Sequence, residues 1–155
     1  MKIKILTISK TKSEYTEAEN EFLKRLRPNA DIEILNLKEE PISKNRNADE
    51  IMSLEGDRIL EKIDKDYFNI ALHVMGQQIT SEEFANLIQE TRDFKNAKLC
   101  FIIGGPLGLS QKVLNSVDYV MSFSKLTFTH QLIRLLLLEQ LYRAFEIIKG
   151  SDYHK

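Results

Sequence analysis

The run Leu99-Cys100-Phe101-Ile102-Ile103 constrains the fold more than any other stretch of this chain. It is apolar at every position, as a strand of a parallel sheet covered on both faces is. Gly104-Gly105-Pro106-Leu107-Gly108 and a short helical segment follow. A second apolar strand, Val117 to Phe123, then delivers Ser122-Phe123-Ser124-Lys125-Leu126-Thr127-Phe128-Thr129-His130. Two strand ends, each followed by small or hydroxyl residues, are what a ligand cleft at the carboxyl edge of an open α/β sheet requires. Glycine lets the backbone approach a ligand there without steric cost.

The rest of the chain alternates strands with helices. Lys2 to Ile8 alternates in polarity and predicts a strand. Ser13 is placed to cap a helix with Tyr15, Ala18, Phe22, Leu23 and Leu26 on its apolar face, ended by Pro28-Asn29. Ile32, Ile34 and Leu37 mark a second strand, and the polar stretch Lys38 to Asn47 a loop. A helix from about Ala48 to Ile63 buries Ile51, Met52, Leu54, Ile59, Leu60 and Ile63. Phe68 to Val74 is a strand ending at Met75-Gly76, and Thr80-Ser81-Glu82-Glu83 is a capping box. That box opens a helix with Phe84, Leu87 and Ile88 inward. This order predicts one α/β domain over residues 1–155, a mostly parallel open sheet with helices on both faces.

His130 to Lys149 predicts one long helix. Leu132, Ile133, Leu135 to Leu138, Leu141, Ala144, Phe145, Ile147 and Ile148 run nearly all the way round it. A helix apolar on every side must be buried on every side. Homodimerisation through this helix answers that need; a thick single-chain core is the other answer.

Composition narrows the function classes. Residues 98–155 carry seven Lys/Arg against four Asp/Glu and residues 1–97 fifteen against nineteen, so a small basic bias surrounds the candidate cleft. That permits an anionic partner and is equally the charge of an ordinary surface. The one cysteine, Cys100, sits in an apolar strand, which excludes a disulfide framework and suits a small buried hydrophobe in a reducing compartment. Met1 to Lys12 has no signal-peptide core and no apolar run is long enough to span a bilayer, so the expectation is a soluble, cytoplasmic protein with no membrane partner.

The motifs, taken singly, leave alternatives open. The Gly-Gly-Pro-Leu-Gly stretch lacks the Lys-Ser/Thr of a phosphate loop and the spacing of a dinucleotide fingerprint, and reads equally as a tight turn or a ligand loop. No Cys/His cluster has zinc spacing, so no metal is expected. Ser122 and Ser124 stand in no nucleophile elbow. His130 reads as a helix-start polar residue or a functional one, and His73 as structural. Ser151-Asp152-Tyr153-His154-Lys155 is a frayed end by position, yet gathers a Tyr, a His and a Lys behind the long helix.

Taken together, these motifs resemble the ribosomal large-subunit methyltransferase H family of the SPOUT, or α/β-knot, class. The resemblance covers essentially the whole chain: Met1-Lys2-Ile3, Leu72 to Gly76, Ile103-Gly104-Gly105-Pro106 with Gly108, Ser122 to Phe128 with His130, Glu139 to Phe145, and Tyr153-His154-Lys155. It implies methyl transfer from S-adenosyl-L-methionine to N3 of a pseudouridine in 23S rRNA of the large subunit or assembled ribosome. It also implies a homodimer and a C-terminal trefoil knot, although knots are nearly absent from proteins at large. By the same resemblance, cofactor contacts fall on Leu72, Gly104, Phe123, Ser124, Lys125, Leu126, Thr127 and Phe128. Arg143, Tyr153 and His154 match the positions that act on the RNA base, with His154 the candidate base. Thr129 stands where the family usually has Pro, His73 where an acidic residue is common, and Leu107 where the loop is usually polar. A silent ribosome-binding factor of this fold, a flavodoxin-like nucleotide module, and a related enzyme with another RNA target are the competing readings.

Overall fold

The computed structural model describes residues 1–9 and 14–154. In chain order the elements are β1 (Lys2–Ile8), α1 (Thr16–Leu26), β2 (Asp31–Leu37), α2 (Ala48–Leu60), β3 (Phe68–Gln78), α3 (Ser81–Phe94), β4 (Lys98–Ile103), α4 (Gln111–Leu114), β5 (Tyr119–Ser122) and α5 (His130–Lys149). The strands form one five-stranded sheet in the order β2-β1-β4-β3-β5, and every pairing is parallel.

Side-chain alternation divides the core in two, as the pleat demands. Ile3 and Ile5 of β1, Ile70 and Leu72 of β3, and Leu99, Phe101 and Ile103 of β4 point to one face, with Leu26 of α1, Phe84 and Ile88 of α3, and Leu137, Leu138, Leu141 and Phe145 of α5. Leu6, Ile8, Ala71, Cys100 and Ile102 point to the other, against Ile59 of α2 and Val113 of α4. The fully apolar β4 run is thus covered on both sides.

Several boundaries differ from those read in the sequence. Helix α2 stops at Leu60 rather than Ile63, and β5 is confined to Tyr119–Ser122 rather than Val117–Phe123. Leu54 of α2 is 37% exposed. Ala18 of α1 is exposed rather than inward; Glu19 is buried instead, its carboxylate gripped by Arg134 of α5, with Nε to Oε1 and Nη2 to Oε2 both at 2.9 Å. The proposed cap Ser13 lies outside the described residues, whereas the Thr80 capping box forms with both of its hydrogen bonds present. The start of α5 is capped by Thr129, whose Oγ1 accepts from Leu132 N at 3.3 Å, and not by His130.

The largest difference is in β3, which does not end at Val74. Leu72 pairs with Met121, the chain leaves the sheet over residues 73–76, and Gln77 returns to pair with the same Met121. Gly76 makes the return possible: a Cβ there would stand 2.6–2.8 Å from the Met121 backbone.

Candidate functional site

β4 and β5 end, and β3 between them steps out of the sheet, at the same edge, and a cavity of about 660 Å³ opens there. Its wall takes Leu72 to Val74 from β3 and the excursion, Ile103 to Gly108 from β4 and its loop, and Ser122 to Ser124 with Leu126 to His130 from the segment after β5. Ile133 of α5 closes it. A volume of this size lies within the roughly 300–1,000 Å³ of small-molecule and cofactor sites.

Local chemistry shapes each wall. Gly104 has no room for a side chain, since a Cβ would lie 2.7 Å from the carbonyl carbon and oxygen of Gly108. Gly108 turns the loop with a φ of +91°, a left-handed conformation that glycine adopts without strain. Beyond β5, Ser122 Oγ donates to the Ser124 carbonyl at 2.8 Å and Ser124 Oγ accepts from Leu126 N at 3.0 Å, so the segment is curled by its own hydroxyls. Leu126 and Phe128 are 71% and 39% exposed at its rim. His130 follows, with Nε2 buried and without a hydrogen-bond partner among the described residues. Burial is the main cause that lowers its pKa, so the ring is held neutral.

Of the residues matched to cofactor contacts, Leu72, Gly104, Phe123, Ser124, Leu126, Thr127 and Phe128 line this cavity, and Lys125 does not. The excursion residues His73 and Val74 were not singled out as ligand-facing; the sole sequence signal was Gly76, which reads the same for a strand end as for a close approach. Met75 N donates to His73 Nδ1 at 3.3 Å, an internal turn contact.

Arg143, Tyr153 and His154 form a second cluster and none of them lines the cavity. Gly150 explains how they meet. Its φ of +70° ends α5 in a left-handed cap, with Gly150 N donating to Ile147 O and Ser151 N to Glu146 O, and the chain folds back along the helix. The Tyr153 ring stands edge-on to Tyr142 at 4.9 Å and beneath the Arg143 guanidinium, also at 4.9 Å. Glu139 Oε1 accepts from Arg143 Nε at 3.1 Å, Arg143 Nη2 at 2.6 Å and Tyr153 Oη at 3.3 Å. His154 Nδ1 is 3.4 Å from Arg143 Nη1, and its Nε2 is 2.8 Å from Glu82 Oε1 on α3. Burial first, then the Glu139 charge, push the Tyr153 phenol up. The Arg143 guanidinium is held charged chiefly by its hydrogen bond to Glu139. Lys155 lies outside the described residues. Glu82 was not expected here, because a contact 72 residues from its partner leaves no periodic trace; the Glu139–Arg143 pair, four residues apart on one helix, is the signal the sequence did carry.

One acid stands behind the cavity. Glu55 of α2 is 2% exposed; its Oε1 accepts from Glu40 N at 2.9 Å, and its Oε2 would lie 2.9 Å from a Cβ on Gly105. Burial pushes its carboxyl above the ordinary carboxylate range, outweighing the Glu40 hydrogen bond. A native pKa above the unfolded one means that stability falls as pH rises between the two. Glu55→Gln keeps the acceptor for Glu40 N and removes the buried charge. It is expected to raise Tm by about 2 °C or more at neutral pH, the gain vanishing below the ordinary Glu pKa, in calorimetric scans across pH.

Among the described residues there is no group of three His, Cys, Asp or Glu able to hold a metal, and no helix is long and apolar enough to cross a membrane. The family described as "Predicted SPOUT methyltransferase" matches residues 1–154. A ribosomal RNA large subunit methyltransferase H from Halothermothrix orenii is 48% identical over 159 aligned residues covering 100% of both chains. Proteins of the same name from Carboxydothermus hydrogenoformans and Bacillus pumilus are 45% and 43% identical, again over 100% of both chains. A fully parallel sheet, a cavity at its carboxyl edge and end-to-end similarity of this degree agree: the chain belongs to the SPOUT methyltransferases, in the ribosomal RNA large subunit methyltransferase H family.

Proposed function

We propose that the chain methylates N3 of a pseudouridine in 23S rRNA of the large ribosomal subunit, with S-adenosyl-L-methionine as donor and a homodimer as the active form. The observation that carries this reading is the cavity at the carboxyl edge of the sheet beside β3, β4 and β5, where glycines and hydroxyl residues stand among Leu72, Phe123, Leu126 and Phe128. Its fit to an adenosyl ligand rests on three features. Gly104 and Gly108 hold the loop after β4 in a tight turn at the cavity wall, a Cβ on Gly104 striking Gly108 at 2.7 Å. Leu72, Leu126 and Phe128 offer apolar faces for a purine. The buried Nε2 of His130 lacks a partner in the described chain. Leu72, Gly104 and Phe123 to Phe128, Lys125 included, would hold the group. When bound, it supplies a methyl already activated by the sulfonium.

The chain has two further tasks: alignment of the acceptor and removal of its proton. Of the clustered residues, Arg143 is held charged and Tyr153 is held as a phenol, so His154 is the group left to accept the N3 proton. Tyr153 would place the base, and Arg143 would hold phosphate or the negative charge that develops on the uracil carbonyls. Apolar residues left part-exposed on the single chain favour a second copy: Val74, Leu126 and Phe128 at the rim, and Leu132, Leu135 and Leu136 on α5. None of the tail residues lines its own chain's cavity, and a second copy is the reading's source of a tail. The family's C-terminal trefoil knot belongs to the same reading.

Purified protein, incubated with the donor and with large subunits or whole ribosomes from a deletion strain, is expected to yield N3-methylpseudouridine by mass spectrometry of the digested 23S rRNA. Saturable donor binding with a different methylated nucleotide would redirect the target. Ribosome binding without donor binding would leave a non-catalytic factor.

A further inference from the structure

We infer that Glu82 is a positioning residue that fixes the imidazole proton of His154 on Nε2 and leaves Nδ1, beneath Arg143, as the atom that takes the substrate proton. This rests on the reading of His154 as base and adds which nitrogen acts and what holds it.

The assignment follows from donor and acceptor types. A guanidinium has five N–H donors and no acceptor. Arg143 Nη1 lies 3.4 Å from His154 Nδ1, so Nδ1 must offer its lone pair. On the opposite edge, Nε2 lies 2.8 Å from Glu82 Oε1, and a carboxylate only accepts. The neutral Nε2–H form satisfies both contacts. The Nδ1–H form would set N–H against N–H on one edge and lone pair against carboxylate on the other.

Glu82 is built to be that acceptor. It is the second residue of α3, within the Thr80–Glu83 capping box, where the helix dipole favours negative charge. Its hydrogen bond from His154, followed by its own backbone N–H and Thr80, brings its pKa down to about 2, so at neutral pH the carboxylate is an acceptor only. The ring is also fixed in place. Tyr153, next in the chain, is packed on Tyr142 and bonded to Glu139. A carboxylate that orients an imidazole and supports the imidazolium it becomes is a recurring catalytic device.

The substrate N3–H displaces Arg143 from Nδ1. The N3–H bond breaks, its proton joins Nδ1, and its electron pair stays on the uracil ring, spread over the flanking carbonyl oxygens. That pair would then form the N3–methyl bond as the methyl's bond to the donor sulfonium breaks, its electron pair staying on the departing sulfur. Arg143, released from Nδ1, faces the oxygens on which charge gathers, while Glu82 stands against the imidazolium Nε2–H.

The test uses the full-length protein with labelled histidine, at a pH where the ring is neutral, and reads nitrogen chemical shifts. The His154 signal is identified by its loss in His154→Ala. The expected result is the Nε2–H tautomer in the parent. In Glu82→Ala the two tautomers mix and kcat falls about tenfold or more, with donor affinity unchanged. In Glu82→Gln, where Oε1 still accepts from Nε2–H, the tautomer and most of kcat return. A parent ring in the Nδ1–H form overturns the inference. So does a Glu82→Ala protein that loses activity with its tautomer unaltered, since Glu82 would then only tether the tail. Full activity in His154→Ala instead sinks the base assignment of the proposed function, and the catalytic part of this inference with it; the tautomer is read without RNA.

Discussion

His154→Ala is expected to lower methylation by about 10²–10⁴-fold while donor binding, measured by calorimetry, stays at the parent value. The size follows from what a positioned base contributes, and the separation of the two readouts follows from geometry. His154 does not line the cavity at the carboxyl edge of the sheet, so its removal leaves that wall intact. Nor should the tail detach. Its turn is held by the Gly150 and Ser151 backbone bonds to α5, and Tyr153 keeps its ring contact with Tyr142 and its hydroxyl bond to Glu139. Arg143 keeps both of its bonds to Glu139. The variant therefore removes one imidazole from a cluster that otherwise stands. Neither neighbour can substitute for it, because the phenol of Tyr153 is pushed up and Arg143 is held charged. Full activity in this variant, or a matching loss of donor affinity, would remove His154 from the role of base.

What was legible in the chain was what local physics dictates. Leu99 to Ile103 reads as a doubly covered strand because a half-solvated strand cannot be apolar at every position, and β4 is found between β1 and β3 with helices on both faces. The Thr80 box and the span His130–Lys149 are local signals too, and both elements begin where the sequence places them. The excursion at residues 73–76 was not legible, because a strand that stops and a strand that steps aside and resumes share the same apolar run and the same glycine. The Gly104-Gly105 pair posed a similar ambiguity. Absence of a side chain serves a tight turn and a ligand alike, and only the 2.7 Å approach to Gly108 shows which contact requires Gly104. The site residues came from resemblance, which orders motifs along the chain but says nothing of how far apart the fold leaves them. Hence the tail residues were grouped with the cleft, whereas on one chain they stand on Glu82 and Glu139 away from its wall.

The largest expected effect on stability comes from Arg134→Met, about 3–5 kcal/mol in denaturant unfolding. Arg134 stands within the leucine-rich run of α5 and is 4% exposed. Nε and Nη2 meet the two oxygens of Glu19, and Nη1 meets Asn36 Oδ1, all at 2.9 Å. Asn36 Oδ1 also accepts from Ser9 Oγ at 2.9 Å, so one guanidinium ties α5 to α1 and to the carboxyl ends of β1 and β2. Methionine fills much of the volume but leaves Glu19, 6% exposed, as a buried carboxylate without its guanidinium. The loss is therefore mainly that of a buried carboxylate deprived of this guanidinium rather than of the pair's attraction alone, and this makes the effect separable. A Glu19→Met, Arg134→Met pair removes both charges and is expected to recover most of the stability, because a well-packed apolar pair often equals a buried ion pair. If the double variant were as unstable as Arg134→Met alone, the link to Asn36 and the strand ends, rather than the burial of Glu19, would be what Arg134 contributes.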